Sequence, residues 1–341
     1  MQFGIWLPSY AYRADFPEHM QNLRAYIQQI EQAGHDVWVI DHLLHAEGLY
    51  GMSWLEPMSV LTYAAGITQH AKLGTGILVI PLRNPVLLAK EIATLDYMSG
   101  GRFVFGVGPG WYPQEFEATG THIKERGART DEIMTAVQRL LSEEDVTFEG
   151  RYYKFQNVTI DPRPVKRPPV WVAGGSRVDD PEYHDVPVLS KSVLERILRS
   201  DGWLSRCSGT QEWVKRDWQQ IRSERIRRVG TADGLVFAHT NFIYVVDTDE
   251  PEKALAAQRG PFEEVMGTHR SFEHLQECYF LGTPAQQVER LRDLESAGCE
   301  YVVFGPTSDD PKQLELLLDK VIKPMQAGLA TKTPDSRQGG D

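Results

Sequence analysis

The feature that most constrains this sequence is an alternation. Short apolar runs of strand length recur along the chain, and most are followed by a longer stretch with apolar residues at helical spacing. The runs are residues 3–7, 36–40, 73–80, 102–107, 170–173, 201–204, 235–246 and 300–304. Helical patterns fall at 17–33, 56–68, 86–98, 113–119, 126–141, 211–228 and 311–325, and Thr283-Pro284-Ala285-Gln286 opens another that ends at Gly298. Val193, Leu194, Ile197 and Leu198 share one more helical face. Strands separated by helices pair in parallel, because each crossover supplies a helix to cover the sheet. Eight such strands close a (β/α)8 TIM barrel with insertions, here a hairpin at 146–155 and a Pro-rich stretch at 162–169. A doubly wound open sheet is the alternative. The expected organisation is one domain over 1–327, with 328–341 a flexible C-terminal tail.

Composition narrows the function. The chain of 341 residues carries 36 basic against 47 acidic side chains, a net charge of −11. Nucleic-acid and anionic-membrane binding both need an excess of Lys and Arg, so neither partner is expected. Cys207, Cys278 and Cys299 are an odd, widely spaced set, which fits free thiols better than a disulfide framework or zinc site. No metal site is expected. The N-terminus is strand-like with no basic leader, and no apolar run reaches about 18 residues. The expectation is a soluble cytoplasmic protein.

In a barrel of this kind the chemistry sits where strands end. The second strand runs into Asp41-His42, and a His there is an acid, a base, a hydrogen-bond donor, or merely satisfies local polar groups. The third carries Gly74 and Gly76 before Ile77, the mark of a bulge or a close approach, by a flat ring or by core side chains. The fourth ends in Gly106, Gly108, Gly110 and Trp111. Its spacing is not a dinucleotide fingerprint, and its glycines read as room for a ligand. The fifth ends in Gly174, Gly175, Ser176 and Arg177, which are the parts of a phosphate site or of an ordinary turn. Trp6, Tyr10, Tyr50, Trp54, Trp111, Tyr112 and Trp203 also follow strands, and their gathering makes an apolar mouth for a flat substrate. A glycosidase pair is absent: the fourth strand gives no carboxylate until Glu115. His42 and His45 lack the further ligands of a zinc site, and no G-x-S-x-G elbow occurs.

These residues resemble the bacterial luciferase-like superfamily of flavin- and F420-dependent oxidoreductases over most of the chain. The strongest block is KLGTGILVIPLRNPVLLAKEIATLDYMSGGRFVFGVGPGWYPQEFEATG, Lys72 to Gly120. PPVWVAGGS (168–176), DGW (201–203) and GTPAQQVERLRDLESA (282–297) follow in the same order. The resemblance implies a barrel holding an isoalloxazine-type ring, with a cis peptide at Gly76-Ile77 against which the ring rests. It implies an active-site His42 preceded by Asp41, and a cofactor phosphate near Gly174, Gly175, Ser176 and Arg177. Two departures stand out. The phosphate-binding Arg of luciferase corresponds to Pro109, and the proton-donating Glu of the sugar dehydrogenases has no counterpart near Trp111. The segment from Arg177 to Ser200 is also longer than the family spacing.

The function the resemblance implies is an FMN-dependent monooxygenase, using FMNH2 from a separate flavin reductase and acting on a small apolar or aromatic molecule. No NAD(P)H fingerprint is present to supply electrons directly. Alternatives are an F420-dependent hydride transfer without oxygen, and a non-catalytic flavin-binding barrel. Family members pair as homodimers, so a homodimer is expected.

Overall fold

Local signals set many element ends. The computed structural model describes residues 1–10, 16–45, 53–177, 188–268 and 270–327. In it, Asn84 accepts from the Val86 and Leu87 amides ahead of a helix that opens on Pro85 and stops at Gly100. Thr283 and Gln286 form the complete capping box ahead of Pro284. Such acceptors satisfy amides that a first turn leaves orphaned, and proline has no amide to orphan. The strands are β1 (Gln2–Trp6), β2 (Asp36–Val39), β3 (Leu73–Thr75), β4 (Leu78–Val79), β5 (Phe103–Gly108), β6 (Val146–Glu149), β7 (Lys154–Val158), β8 (Val170–Gly174), β9 (Gly202–Ser205), β10 (Val236–Ile243) and β11 (Tyr301–Pro306). The helices are α1 (Phe16–Gln32), α2 (Pro57–Ile67), α3 (Pro85–Ser99), α4 (Pro113–Ala118), α5 (Arg126–Ser142), α6 (Lys191–Ile197), α7 (Gln211–Val229), α8 (Pro251–Met266), α9 (Phe272–Cys278), α10 (Pro284–Ser296) and α11 (Pro311–Leu316), the last continuing as a π-helical stretch to Ile322.

All strands except the hairpin β6–β7 form one sheet in the order β3-β2-β1-β11-β10-β9-β8-β5-β4, and β3 also pairs with β5, which closes it. The pairings are parallel. β3 and β4 are halves of the single strand expected over 73–80, with a cis Gly76–Ile77 bond between them. Counted once, they give the eight staves of a (β/α)8 barrel, and the open-sheet alternative falls. β10 ends at Ile243, short of the expected 246, and the Val245 amide turns to Gln313 Oε1 at 2.8 Å. Helices α8 and α9 were not legible in the sequence pattern, where Gly260 and Pro261 interrupt the period. The expected tail lies outside the described residues.

Side-chain alternation divides the core in two. Trp6, Trp38, Val104, Trp171, Leu204 and Tyr301 belong to one buried cluster, the barrel interior. Phe3, Val37, Phe105, Trp203, Phe237 and Phe304 belong to another, packed toward the helices. Successive residues of a strand face opposite sides, so a shift of one position changes layer. Trp38 forms the barrel floor: it stacks on Trp171 at 5.3 Å, and its Nε1 donates to the Tyr301 hydroxyl at 2.9 Å. Arg102, within the stretch that carries the family resemblance, is structural. The Arg102 guanidinium donates to the carbonyls of Ser99, Ala71 and Thr68, tying α3 to the end of α2.

Candidate active site at the barrel mouth

The strand ends open into one cavity lined in part by Trp6, Asp41, His42, Trp54, Gly76 and Ile77. Gly108, Pro109, Trp111 and Arg177 reach it as well.

The Asp41-His42 pair divides its labour. Asp41 Oδ2 accepts from the Val79 amide at 2.8 Å and from Arg83 at 3.3 Å, so it binds the end of β2 to β4. Burial pushes its carboxyl above the ordinary range, against the pull of Arg83 and the Val79 amide. Arg83 in turn contacts Glu56 and Glu91. His42 lies between the Trp54 ring at 5.4 Å and the Trp111 ring at 5.7 Å. Its Nδ1 is 3.1 Å from Glu115 Oε1. The same oxygen accepts from the Leu43 and Leu44 amides at 2.8 and 3.2 Å. An oxygen already taking two amide donors is an acceptor toward the ring as well, so Nδ1 carries the proton. Glu115 is fully buried on α4. Sequence reasoning passed it over as a distant acid. The available signal was its place beside Phe116 on a short helix directly after a strand end.

The glycines of β3 to β5 make room for protein groups. A Cβ on Gly76 would lie 2.7 Å from Trp6 Nε1, and one on Gly108 would lie 2.6 Å from Ile77 Cδ1. Gly106, read as ligand space, faces the neighbouring strand instead: a Cβ there would lie 1.8 Å from the Thr75 carbonyl oxygen. Close backbone approach at the closure of the barrel requires glycine at 106. Gly76, Ile77 and Gly108 still line the cavity.

The β8 loop differs from expectation. Ser176 donates its amide and hydroxyl to Asp217 of α7 at 2.6 and 2.8 Å, and Arg216 donates to its Oγ at 3.0 Å. A buried carboxylate needs such donors. Gly174 packs against Val193, and Gly175 sits near Asp217 and Trp203. Ser176 therefore turns to the protein, and of that expected cradle Arg177 lines the cavity.

Among the aromatics, Trp6, Trp54 and Trp111 line the cavity. Tyr10 stands behind, edge-on to Trp54 at 6.4 Å with its hydroxyl donating to the Pro306 carbonyl. Tyr112 flanks Trp111 at 5.7 Å. Tyr50 lies outside the described residues. Trp203 was expected at the mouth, and strand alternation puts it on the outer face. It stacks on Phe237 at 5.1 Å and near Trp218 at 6.2 Å, and donates its Nε1 to the Gly174 carbonyl at 2.9 Å. Arg206 and Arg270, absent from the expected set, line the cavity together with Leu204, Phe242, Met266 and Tyr279.

Two features fit an isoalloxazine-type ring. Indole and aliphatic side chains wall the mouth. Trp6 Nε1 is buried, has no hydrogen-bond partner among the described residues, and sits beside Gly76. A buried N–H of this kind is satisfied by an acceptor atom on a bound ring.

Residues 1–179 match the family described as luciferase-like monooxygenase. The oxygenase component of the flavin-dependent trigonelline monooxygenase of Acinetobacter baylyi is 27% identical over 328 residues, 89% of this chain and 88% of that protein. The F420-dependent glucose-6-phosphate dehydrogenase of Intrasporangium calvum is 39% identical over 158 residues, only 42% of this chain and 45% of that enzyme. A monooxygenase of Streptomyces bottropensis has the same fold, with a TM-score of 0.76, 22% identity and coverage of 95% of this chain and 99% of that one.

Proposed function

This chain belongs to the luciferase-like monooxygenase family, and on that premise we propose that it is the oxygenase of a two-component flavin monooxygenase. It takes FMNH2 from a separate reductase and acts on a small organic molecule with an apolar body. Family membership supports an enzyme over a non-catalytic barrel. The observation that carries the reading is His42, oriented by buried Glu115 and held between two indoles at an apolar mouth.

A bound reduced flavin supplies the electron pair for oxygen activation. The chain supplies position, proton control and dryness. Trp6 Nε1 would donate to an acceptor of the bound group, Ile77 and Gly108 would wall it, and Arg177 would hold its phosphate. Trp54 and Trp111 exclude water around His42. The His42 imidazole, oriented through Nδ1 by Glu115, would exchange a proton or hydrogen bond with the reacting molecule.

The 39% likeness over 158 residues favours a second reading, hydride transfer with F420. The purified protein is titrated separately with FMN and F420, followed by flavin fluorescence, and oxygen uptake is recorded with FMNH2. FMN binding and substrate-dependent oxygen uptake support the monooxygenase, whereas F420 binding without oxygen uptake replaces it with the second reading. A cytoplasmic homodimer completes the proposal, with sedimentation velocity as its check.

A further inference from the structure

The barrel interior below the mouth is filled with electron-rich rings, and they form a continuous series. Trp6 lines the cavity. Trp6 and Trp38 meet at Gly76: a Cβ there would lie 2.7 Å from Trp6 Nε1 and 3.3 Å from Trp38 Cε3. A Cβ on Gly74 would lie 2.5 Å from Trp38 Cδ2, so both glycines make room for that indole. Trp38 stacks on Trp171 at 5.3 Å, and the Tyr301 ring is 5.7 Å from Trp38 and 5.1 Å from Trp171. Below the rings the series becomes hydrogen-bonded. Trp38 Nε1 donates to the Tyr301 hydroxyl at 2.9 Å, and that hydroxyl donates to Asp36 Oδ2 at 2.7 Å. Tyr301 opens β11 and Asp36 opens β2, at the end of the barrel away from the mouth. Tyr301 is buried, whereas Asp36 is half-buried and lies 3.7 Å from the Lys72 ammonium.

Packing alone does not require this arrangement. Phenylalanine at 301 would fill the same space with no hydroxyl to satisfy. Burial and Asp36 push the phenol well above its ordinary range, so it keeps its proton, and the hydrogen bond aims that proton at a carboxylate. Indoles and phenols are among the side chains that release one electron most readily. A phenol does so only when its proton has an acceptor, because the oxidised phenol is a very strong acid. Electron tunnelling falls off steeply with distance, so rings in contact form a path.

We propose that Trp6, Trp38 and Tyr301 form a one-electron relay from the mouth to the far end of the barrel, with Asp36 as the proton acceptor. Its role rests on the flavin reading above: the relay carries stray oxidising equivalents of oxygen chemistry away from His42 and the mouth. In each event the indoles of Trp6 and Trp38 pass one electron to an oxidising group in the mouth, a flavin or an oxygen-derived species, which is reduced by one electron. Tyr301 refills the indole, and its phenolic proton passes to Asp36. A neutral tyrosyl radical and a protonated Asp36 remain. A soluble thiol or ascorbate restores Tyr301 by giving up one electron, and Asp36 returns the proton.

The test is a flash of blue light on the FMN-loaded protein without oxygen, because an excited flavin is itself a one-electron oxidant. Transient absorption and electron paramagnetic resonance are expected to show a tyrosyl radical in the wild-type protein. Tyr301→Phe, which keeps the ring, loses that signal and leaves an oxidised indole in its place. Asp36→Asn, which keeps an oxygen for the hydroxyl but is no base, does the same. Trp38→Phe loses the tyrosyl signal with Tyr301 intact. Circular dichroism and FMN titration check that each variant is folded and loaded. Absence of a tyrosyl radical in the wild-type protein overturns the proposal, and so does a radical that survives in Tyr301→Phe or Trp38→Phe. If FMN does not bind, the flavin reading fails, and the relay is decided by pulse radiolysis, in which azide radicals oxidise the tryptophans. A tyrosyl signal that Tyr301→Phe abolishes then supports the relay, and one that Tyr301→Phe leaves unchanged overturns it.

Discussion

Two strand ends in this barrel look equally polar in sequence. β2 runs into Asp41-His42, and β8 runs into Gly174-Gly175-Ser176-Arg177. In the folded chain they behave differently. At β2, buried Glu115 satisfies one ring nitrogen of His42 and orients the imidazole in the cavity wall. At β8, buried Asp217 takes both donors of Ser176 and turns the loop toward α7. In each case a buried carboxylate on a helix that belongs to another strand decides the outcome, Glu115 on α4 after β5 and Asp217 on α7 after β9. One positions a functional group and the other consumes it. A polar motif at a strand end becomes a site only when its tertiary partners leave a donor or acceptor to the ligand.

The sharpest way to break this comparison is at His42. His42→Ala is expected to lower kcat by about 10²–10⁴-fold with FMN affinity nearly unchanged, as read by steady-state kinetics beside a flavin titration. Unchanged turnover would remove the distinction between the two strand ends. Glu115→Ala comes next. It releases the ring and leaves the Leu43 and Leu44 amides without their acceptor. A fall in kcat on the order of a hundredfold is expected with a small change in KM, and the ¹⁵N spectrum of the His42 ring should lose its Nδ1–H tautomer. Glu115→Gln, which keeps an acceptor oxygen, should retain that tautomer.

On the β8 side the effect belongs to stability. Asp217→Ala strands the Ser176 amide and hydroxyl and is expected to cost about 1–3 kcal/mol in urea denaturation, with FMN affinity unaltered. A drop in FMN affinity of the same size would return the loop to the cofactor. The last effect concerns acid sensitivity and leaves activity at neutral pH untouched. His239 on β10 meets Ser205 Oγ at 2.7 Å and Asn241 Nδ2 at 3.1 Å, and burial, helped by Arg290, holds its pKa down to about 3. The unfolded chain binds a proton at this residue near its ordinary value while the native protein does not. Stability is therefore present above about pH 6.5 and is lost as pH falls from there toward about 3. His239→Gln should flatten that part of the stability profile between pH 7 and pH 4. An unchanged slope would show that His239 is not held neutral.

Much of the fold was legible because it rests on local chemistry. The alternation of apolar runs with helical patterns, the Asn84 and Thr283 caps and the stop at Gly100 depend on near neighbours in the chain. They set element order, and with eight staves they set the barrel and the place of its mouth. The site was legible only in part. Asp41, His42, Trp54, Trp111 and Arg177 follow strand ends closely enough to be found there. Glu115 was missed because its partner lies 73 residues away. Arg270 was missed because it sits in a connection with no strand pattern of its own.

The sequence by itself determined the succession of strands and helices, the family resemblance and the strand ends that carry candidate chemistry, because these depend on periodicity and on residues near in the chain. Tertiary structure alone decided which candidates keep their polar groups for a ligand. It sent Trp203 to the outer layer, packed Gly106 against the Thr75 carbonyl, bound Ser176 to Asp217 and brought Glu115 to His42. The physical reason is that strand alternation and barrel closure set which face each side chain takes, and a buried polar group bonds to whatever partner closure brings within reach.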